Sequence, residues 1–447
     1  MIQRARRSAL RVPIAIGTWC TLCYYCKHMS NHLQRAEKIL RRINELASIS
    51  EDKTCITRTY GTKAFIEGRN KVEQWMKEAG LETRIDNIGN IRGRFQSKKT
   101  NAKTFVIASH IDTIINAGKF DGPLGVLMGL DIVEQLIKSK TVLAFPIELI
   151  GFCDEEGCRF HTTYLGSKVV AGSFNEVILK VKDESGISLR EVIGQNGGNV
   201  NNLSKDAIAK KDWMGYFEIH IEQGPVLYEK NIPVGVVAAI AGQRRIEIKF
   251  TGEAGHAGTV PMDMRKDALT GAAEFIVAAE KFAKANKKDV VATVGKLHIT
   301  NSASNVIPGE AIFSLDLRSP DEAKLSSSYN AIKKMARDIC NKRSLVMEWN
   351  LIQQTKPVVC DKRLIKLLKR SIEETGFEPV GLVSGAGHDA VAVSEVSPVG
   401  MLFVRCFKGI SHNPMENVEL KDIAAAIKVS DNFIQQLIKS SATDYAD

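Results

Sequence analysis

The sequence predicts an α/β protein: a mixed sheet covered by helices, with a smaller two-layer α/β sandwich inserted into it. Two short apolar runs, 104–109 (TFVIAS) and 145–152 (FPIELIGF), have the length and continuity of buried strands, and a helical stretch at 123–138 lies between them. That order suggests strands lying side by side under a helical layer. From about residue 233 the rhythm changes to several strands separated by two helices, and it changes back after about 347. With 447 residues the chain is long enough for about two to three domains, each with a core of its own.

Taken in order, residues 1–29 carry Arg4, Arg6, Arg7, Arg11 and Lys27 and no acid, with a loosely apolar run from Val12 to Cys26. They predict an N-terminal extension, disordered or serving as a targeting segment. Cys20, Cys23, Cys26 and His28 have metal-like spacing, but no second pair completes a zinc site. From Asn31 the apolar residues Leu33, Ala36, Ile39, Leu40, Ile43 and Leu46 recur at three and four, a helical pattern. A second helix covers 62–79, with Val72, Trp75, Met76 and Ala79 on one face and Gly80 as its stop. The stretch 216–222 (YFEIHIE) alternates, so Phe217, Ile219 and Ile221 face one way and Glu218, His220 and Glu222 the other. Strands at 234–240, 244–251, 290–299, 310–317 and 345–350, with helices at about 266–285 and 321–341, predict the inserted unit, 233–347. The flanking segments 30–232 and 348–442 then form one discontinuous domain, with a strand at 400–405 and a long amphipathic helix at 419–439.

Composition excludes several classes. The formal charge is +10, from 61 basic and 51 acidic residues, and half of it sits in the first 29 residues. The remaining excess is too dispersed for a nucleic-acid stripe, though it is compatible with a small anionic substrate. No run of about 18 apolar residues predicts a membrane span. Nine cysteines are an odd count in a chain of this size, which favours a reducing compartment and a cytoplasmic location over a disulfide scaffold.

Polar, metal-competent residues stand where the apolar strands end, the place where open α/β sheets bind ligands. His110 and Asp112 (SHIDT, 109–113) follow the first strand, and a carboxylate near a histidine is a common support for a metal-binding ring. Asp121, in KFDGPLG, is either the cap of the following helix or a carboxylate held in place by Gly and Pro. Asp154, Glu155 and Glu156 follow the next strand; such an acidic turn is either simply solvated or divides labour between metal binding and proton transfer. With His220 and His412, the residues His110, Asp121 and Glu156 make an imidazole and carboxylate set suited to zinc or manganese, and two such ions could share one carboxylate.

The sequence resembles the dinuclear-metal amidohydrolases that cleave ureido groups: allantoate deiminases, N-carbamoyl-L-amino-acid hydrolases and β-ureidopropionases, within the wider aminoacylase and carboxypeptidase superfamily. The resemblance runs from about Leu33 to the C-terminus through SHIDT (109–113), GKFDGPLGV (118–126), DEEGCRF (154–160), HIEQGPVL (220–227), AGQRR (241–245), GHAGTVPM (255–262), SNVIPG (304–309), DLR (316–318), SGAGHDA (384–390) and GISHNP (409–414). It implies two divalent ions, Mn2+ or Zn2+, with His110 and His220 on one, Glu156 and His412 on the other, and Asp121 bridging. Glu155 is implied as general base and Asp112 as the support of His110. The inserted sandwich is implied to be a lid and dimerisation domain of a homodimer. There His256 would polarise the ureido carbonyl, Asn305 and Arg318 would hold the substrate carboxylate, and Gln243 and His388 would line the pocket. Among these activities the motif combination looks most like allantoate deiminase, with N-carbamoyl-L-amino-acid hydrolase or β-ureidopropionase as the alternative. An aminoacylase-like or carboxypeptidase-like amide hydrolase fits less well, because many such enzymes have a carboxylate where His220 stands.

Overall fold

The computed structural model describes residues 17–443, with side chains from Asn31 to Ser441. Residues 1–16, and the side chains of 17–30 that carry the cysteine spacing, lie outside the described residues. The chain begins with α1 (Gly17–Ala47) and α2 (Lys63–Glu78), the latter capped by the Thr62 hydroxyl. A hairpin of β1 (Glu82–Ile85) and β2 (Ile91–Phe95) follows, then the strand–helix–strand unit β3 (Thr104–His110), α3 (Pro123–Lys138) and β4 (Ile147–Phe152). Helices α4 (Leu165–Ala171) and α5 (Leu189–Gln195) lead to β5 (Trp213–Ile221), α6 (Val226–Lys230) and β6 (Val234–Ile240). The smaller unit contains β7 (Gly242–Thr251), β8 (Gly255–His256), α7 (Ala268–Ala285), β9 (Val291–Thr293), β10 (Leu297–Ile299), β11 (Val306–Ile307), β12 (Glu310–Ser319), α8 (Glu322–Arg343) and β13 (Val346–Thr355). The chain then returns through β14 (Val358–Val359), α9 (Lys362–Glu374), β15 (Gly381–Ser384), α10 (Ala390–Val393), β16 (Val399–Val404) and α11 (Leu420–Thr443).

The large sheet has the order β1-β2-β4-β3-β5-β16-β6-β14, with β15 beside β6. Its centre, β4-β3-β5-β16, is parallel, while β1, β2 and β6 join antiparallel, so the sheet is mixed as predicted. Every residue of β3 and β4 is buried, which is why those segments are mostly apolar, and the one acid among them, Glu148, is paired with Arg92. β5 alternates in sequence yet is buried on both faces apart from Met214, so its polar residues point into packed protein rather than solvent. Helix α3 lies unusually close to the sheet at Gly125, where a Cβ would overlap the carbonyl oxygen of Ile219 in β5.

The small sheet has the order β10-β12-β7-β13, with β9 also paired to β12. Ala311, Phe313, Leu315 and Leu317 of β12 and Ile246, Ile248 and Phe250 of β7 form a core with α7 and α8. The other face carries Gln243, Arg245, Asp316 and Arg318. The single strand predicted at 290–299 is two strands on one side of β12. Between them Ser314 takes over the pairing, its hydroxyl accepting the Lys296 amide at 3.1 Å. The strand 234–240, expected in the insert, instead pairs with β16 and β15 in the large sheet, and β13 continues the small sheet to Thr355. VGVVAAI is apolar enough to be buried in either sheet, so only its hydrogen-bonded partners decide. Among the described residues no helix is long and apolar enough to cross a membrane.

The tight seat of α3 gives a direct test. Replacing Gly125 with Ala is expected to destabilise the protein by about 1–3 kcal/mol, the usual cost of overpacking. Thermal denaturation followed by circular dichroism reads this, and an unchanged midpoint would mean that α3 lifts freely from β5.

Candidate metal centre

The four parallel strands deliver their carboxyl ends to one edge of the large sheet. β3 ends on His110, β4 runs into Cys153–Glu156, β5 brings His220 one residue from its end, and the loop after β16 carries His412. Asp121 precedes α3, but it is not the cap of that helix: the cap position is Gly122, with φ 84° and no side-chain cap bond. A Cβ at Gly122 would overlap the His110 ring, so glycine lets the ring lie flat against this loop. Asp154 and His412 hold left-handed backbone at φ 51° and 55°, an uncommon conformation for non-glycine residues that concentrates at functional sites.

Six of the predicted residues converge. The His110 Nδ1 faces the carbonyl oxygen of Asp112 at 3.1 Å, and the His220 Nδ1 faces that of Ile221 at 3.0 Å. Each Nδ1 is therefore the donor to its carbonyl, which turns both Nε2 atoms toward Asp121 and the space between them. Those two nitrogens lie 3.4 Å apart. Asp121 Oδ1 is 3.1 Å from the His220 Nε2 and 3.7 Å from that of His110, and it is buried with no hydrogen-bond partner. Ligands about 2.0–2.1 Å from one tetrahedral ion stand about 3.3–3.4 Å apart, so the spacing fits a divalent cation. The other oxygen, Asp121 Oδ2, is 3.2 Å from the His412 Nε2, which lies 3.4 Å from Glu156 Oε1. A third group joins His110 to Glu155 and Glu156, with candidate ligand atoms all within 4.8 Å of one another.

The electrostatics also favour a cation. Burial pushes Glu155 and Asp154 well above the usual carboxylate range, and it raises Glu156 to about 7, with the Asp121 charge adding to it. Burial works to raise Asp121 as well, but the imidazoles of His110, His220 and His412 beside it hold it well below that range. His412 is pushed up to about 9, chiefly by its bond to Asp121. Imidazolium and carboxylic acid protons here balance charge that a bound metal would balance better.

Asp112 supports this site differently from the expectation. It reaches the His110 ring through its main-chain carbonyl, while its carboxylate is 3.8 Å from that ring. The carboxylate instead accepts the amides of Glu155 and Glu156, both at 3.2 Å, and so fixes the acidic turn.

The residues assigned to substrate by resemblance fall into three places. His388 is buried against His220, ring centroids 4.5 Å apart, with its Nε2 2.7 Å from the Ser384 hydroxyl; burial and the nearby His220 hold it neutral. Arg318 and Gln243 are cross-strand neighbours on the open face of the small sheet. Asp316 takes the Arg318 Nε and Nη2, both at 2.8 Å, and the Arg318 Nη1 donates at 2.5 Å to the carbonyl of Gly385, in the loop that carries His388. Asp316, Arg318 and Gly385 also border a cleft of about 1080 Å³. His256 and Asn305 adjoin in the ribbon of β8 and β11, exposed, and no described hydrogen bond joins them to the cluster.

Sequence reasoning left several participants unassigned. Glu218, two residues before His220 on the same face of β5, is fully buried and accepts from the Tyr216 hydroxyl at 2.9 Å and the Ala390 amide at 3.1 Å. The alternation that singled out His220 held Glu218 too. Asp389, beside His388, is also fully buried. Glu416, four residues after His412, and Gln223, three after His220, both bear on Asp121.

Comparison with known proteins identifies the family. Residues 106–436 match the family described as Peptidase family M20/M25/M40. The chain is 38% identical over 431 residues to the allantoate deiminase of Arabidopsis thaliana, covering 90% of this chain and 82% of that protein. It is 36% identical to the N-carbamoyl-L-amino-acid amidohydrolase of Pseudomonas sp. (strain NS671), covering 88% and 96%. A crystal structure of an amidase of the hydantoinase/carbamoylase family from Burkholderia multivorans superposes with a TM-score of 0.84 at 32% identity, covering 90% of this chain and 98% of that one. An α/β fold of this kind, a buried His–Asp–His cluster at its strand ends and relatedness over nine-tenths of the length lead to one assignment: the chain belongs to peptidase family M20/M25/M40.

Proposed function

We propose that this protein hydrolyses a ureido C–N bond with two divalent ions, Mn2+ or Zn2+, and that allantoate is its substrate, giving ureidoglycine, ammonia and CO2. The observation that carries the reading is the shared carboxylate: Asp121 offers Oδ1 to His110 and His220 and Oδ2 to His412, whose Nε2 neighbours Glu156. His110, His220 and Asp121 would hold one ion, and Asp121, Glu156 and His412 the other. Ions held there would supply Lewis acidity, the chemistry that lowers the pKa of water toward about 7.

The chain's own groups do the rest. Glu155 is buried beside the cluster with its carboxyl held well above the usual range, so it suits taking a proton from water and returning it to the departing nitrogen. The planar fork of Arg318, held by Asp316, presents charge-assisted donors to the substrate carboxylate, with Gln243 beside it and Asn305 and His388 completing the pocket. His256 would stabilise the developing oxyanion. Because His256 and Asn305 stand on an exposed ribbon, they act only when the small domain closes as a lid or when a partner subunit supplies them. A homodimer is supported by the edge strand β13, which exposes Val346, Leu351 and Ile352. We place the enzyme in the cytoplasm. N-carbamoyl amino acids, cleaved by the Pseudomonas relative according to its name, are the second reading, since one carboxylate and one ureido group make the same demands.

Three outcomes test this. Ammonia release by purified protein with Mn2+ should be fastest on allantoate; a higher kcat/KM on N-carbamoyl amino acids would transfer the assignment to them, and no release from either would refute ureido hydrolysis. Replacing Glu155 with Gln should lower kcat by at least about 10²–10⁴-fold, the range for a lost general base, while metal analysis still finds both ions. Replacing Arg318 with Lys should reduce kcat/KM by about tenfold to a hundredfold, equivalent to one charged hydrogen bond. Unaltered kinetics on allantoate in that variant would remove Arg318 from substrate binding.

A further inference from the structure

Three loops meet behind Asp121: 118–122 ahead of α3, 222–225 after β5, and 409–416 after β16. They pack main chain against main chain. A Cβ at Gly118 would overlap the Glu416 carboxyl, and one at Gly409, where φ is 70°, would overlap the main chain of Gly224 and Pro225. Glu416 lies inside this junction, 4% exposed. Its Oε1 accepts the amides of Phe120 at 2.7 Å and Asp121 at 3.1 Å, and its Oε2 is 3.0 Å from the Ser411 hydroxyl. That hydroxyl is also 2.9 Å from Asp121 Oδ2, to which the Gln223 Nε2 donates at 2.8 Å. Glu416 belongs to none of the clusters able to hold an ion. It directs its lone pairs at the backbone and neighbours of Asp121, which joins the His110–His220 cluster to the Glu156–His412 cluster.

We propose that Glu416 is a positioning residue: by gripping the Phe120 and Asp121 amides and facing Ser411, it fixes the Asp121 carboxylate and the His412 loop in one register and so sets how tightly the second ion is held. The inference rests on the two-ion reading above. Its physical basis is that carboxylates and imidazoles bind metal well only when their own orientation is fixed, and that outer partners of this kind are typically worth about 10–100-fold in affinity. Removing Glu416 would also leave two buried amides without acceptors in the segment that aims Asp121.

The test uses the full chain, stripped of metal by chelation and titrated with Mn2+, with stoichiometry and affinity from calorimetry and the coupling between ions from electron paramagnetic resonance. Wild type should bind two Mn2+ and give an exchange-coupled spectrum. Glu416→Ala should weaken the second Mn2+ by about 10–100-fold and show isolated ions at concentrations that load the wild type. Glu416→Asp, which keeps the charge but is one methylene short of the amides, should be intermediate. Glu416→Gln, which retains an oxygen that accepts both amides, should restore the second ion to within a few-fold, a rescue that a general packing role would not give. Should the Ala variant fail to fold, the Asp and Gln variants decide. Equal wild-type affinity and coupling in both, or in Glu416→Ala, would overturn the inference. Wild type that binds a single Mn2+ would overturn the two-ion reading, and this proposal with it.

Discussion

The structure depends on one electrostatic constraint: two imidazoles and a carboxylate buried together and turned toward one point. Two imidazole nitrogens, on the sides of their rings away from the carbonyls that hold each Nδ1, face each other across 3.4 Å, and a buried carboxylate oxygen completes the triangle. Burial strengthens the interactions among them, because the surroundings screen charge poorly. Such a group is costly in an empty fold and favourable around a cation. The residues around it act to hold that arrangement: Gly122 makes room for the His110 ring, and the Asp112 carboxylate anchors the acidic turn.

The fold meets the constraint by topology. Four adjacent parallel strands end at the same edge, so residues as far apart in sequence as His110 and His412 become neighbours without any long-range motif. The residues that finish the site stand on loops just past those strand ends, where side chains escape the sheet's hydrogen-bonding pattern. Left-handed backbone at Asp154 and His412 shows how tightly those loops turn. The strands themselves are almost wholly buried, and that rigidity keeps the loop residues in register.

Much of this was legible in the sequence because the strongest signals are local. Helix α3 occupies the predicted 123–138, and the runs that became β3 and β4 are apolar because both their faces are covered. The ligand candidates announced themselves by standing directly after those runs. What stayed hidden was non-local. The strand 234–240 has the same composition whichever sheet adopts it, and only pairing with β16 and β15 settles the matter. Glu416 was missed because its work is to accept main-chain amides nearly 300 positions away, and no side-chain pattern records a carbonyl or an amide. Asp112 was recognised as a helper, yet the atoms it uses on the imidazole belong to its backbone.

The guanidinium of Arg318 also ties the small sheet to the large domain. It is rooted in the small sheet, with Asp316 clasping one side, and its remaining terminal nitrogen is hydrogen-bonded to the backbone of Gly385 in the large domain. An anion arriving at that nitrogen has to share it with Gly385 or displace it. A group that took the nitrogen from Gly385 would remove one contact between the small sheet and the loop that carries His388.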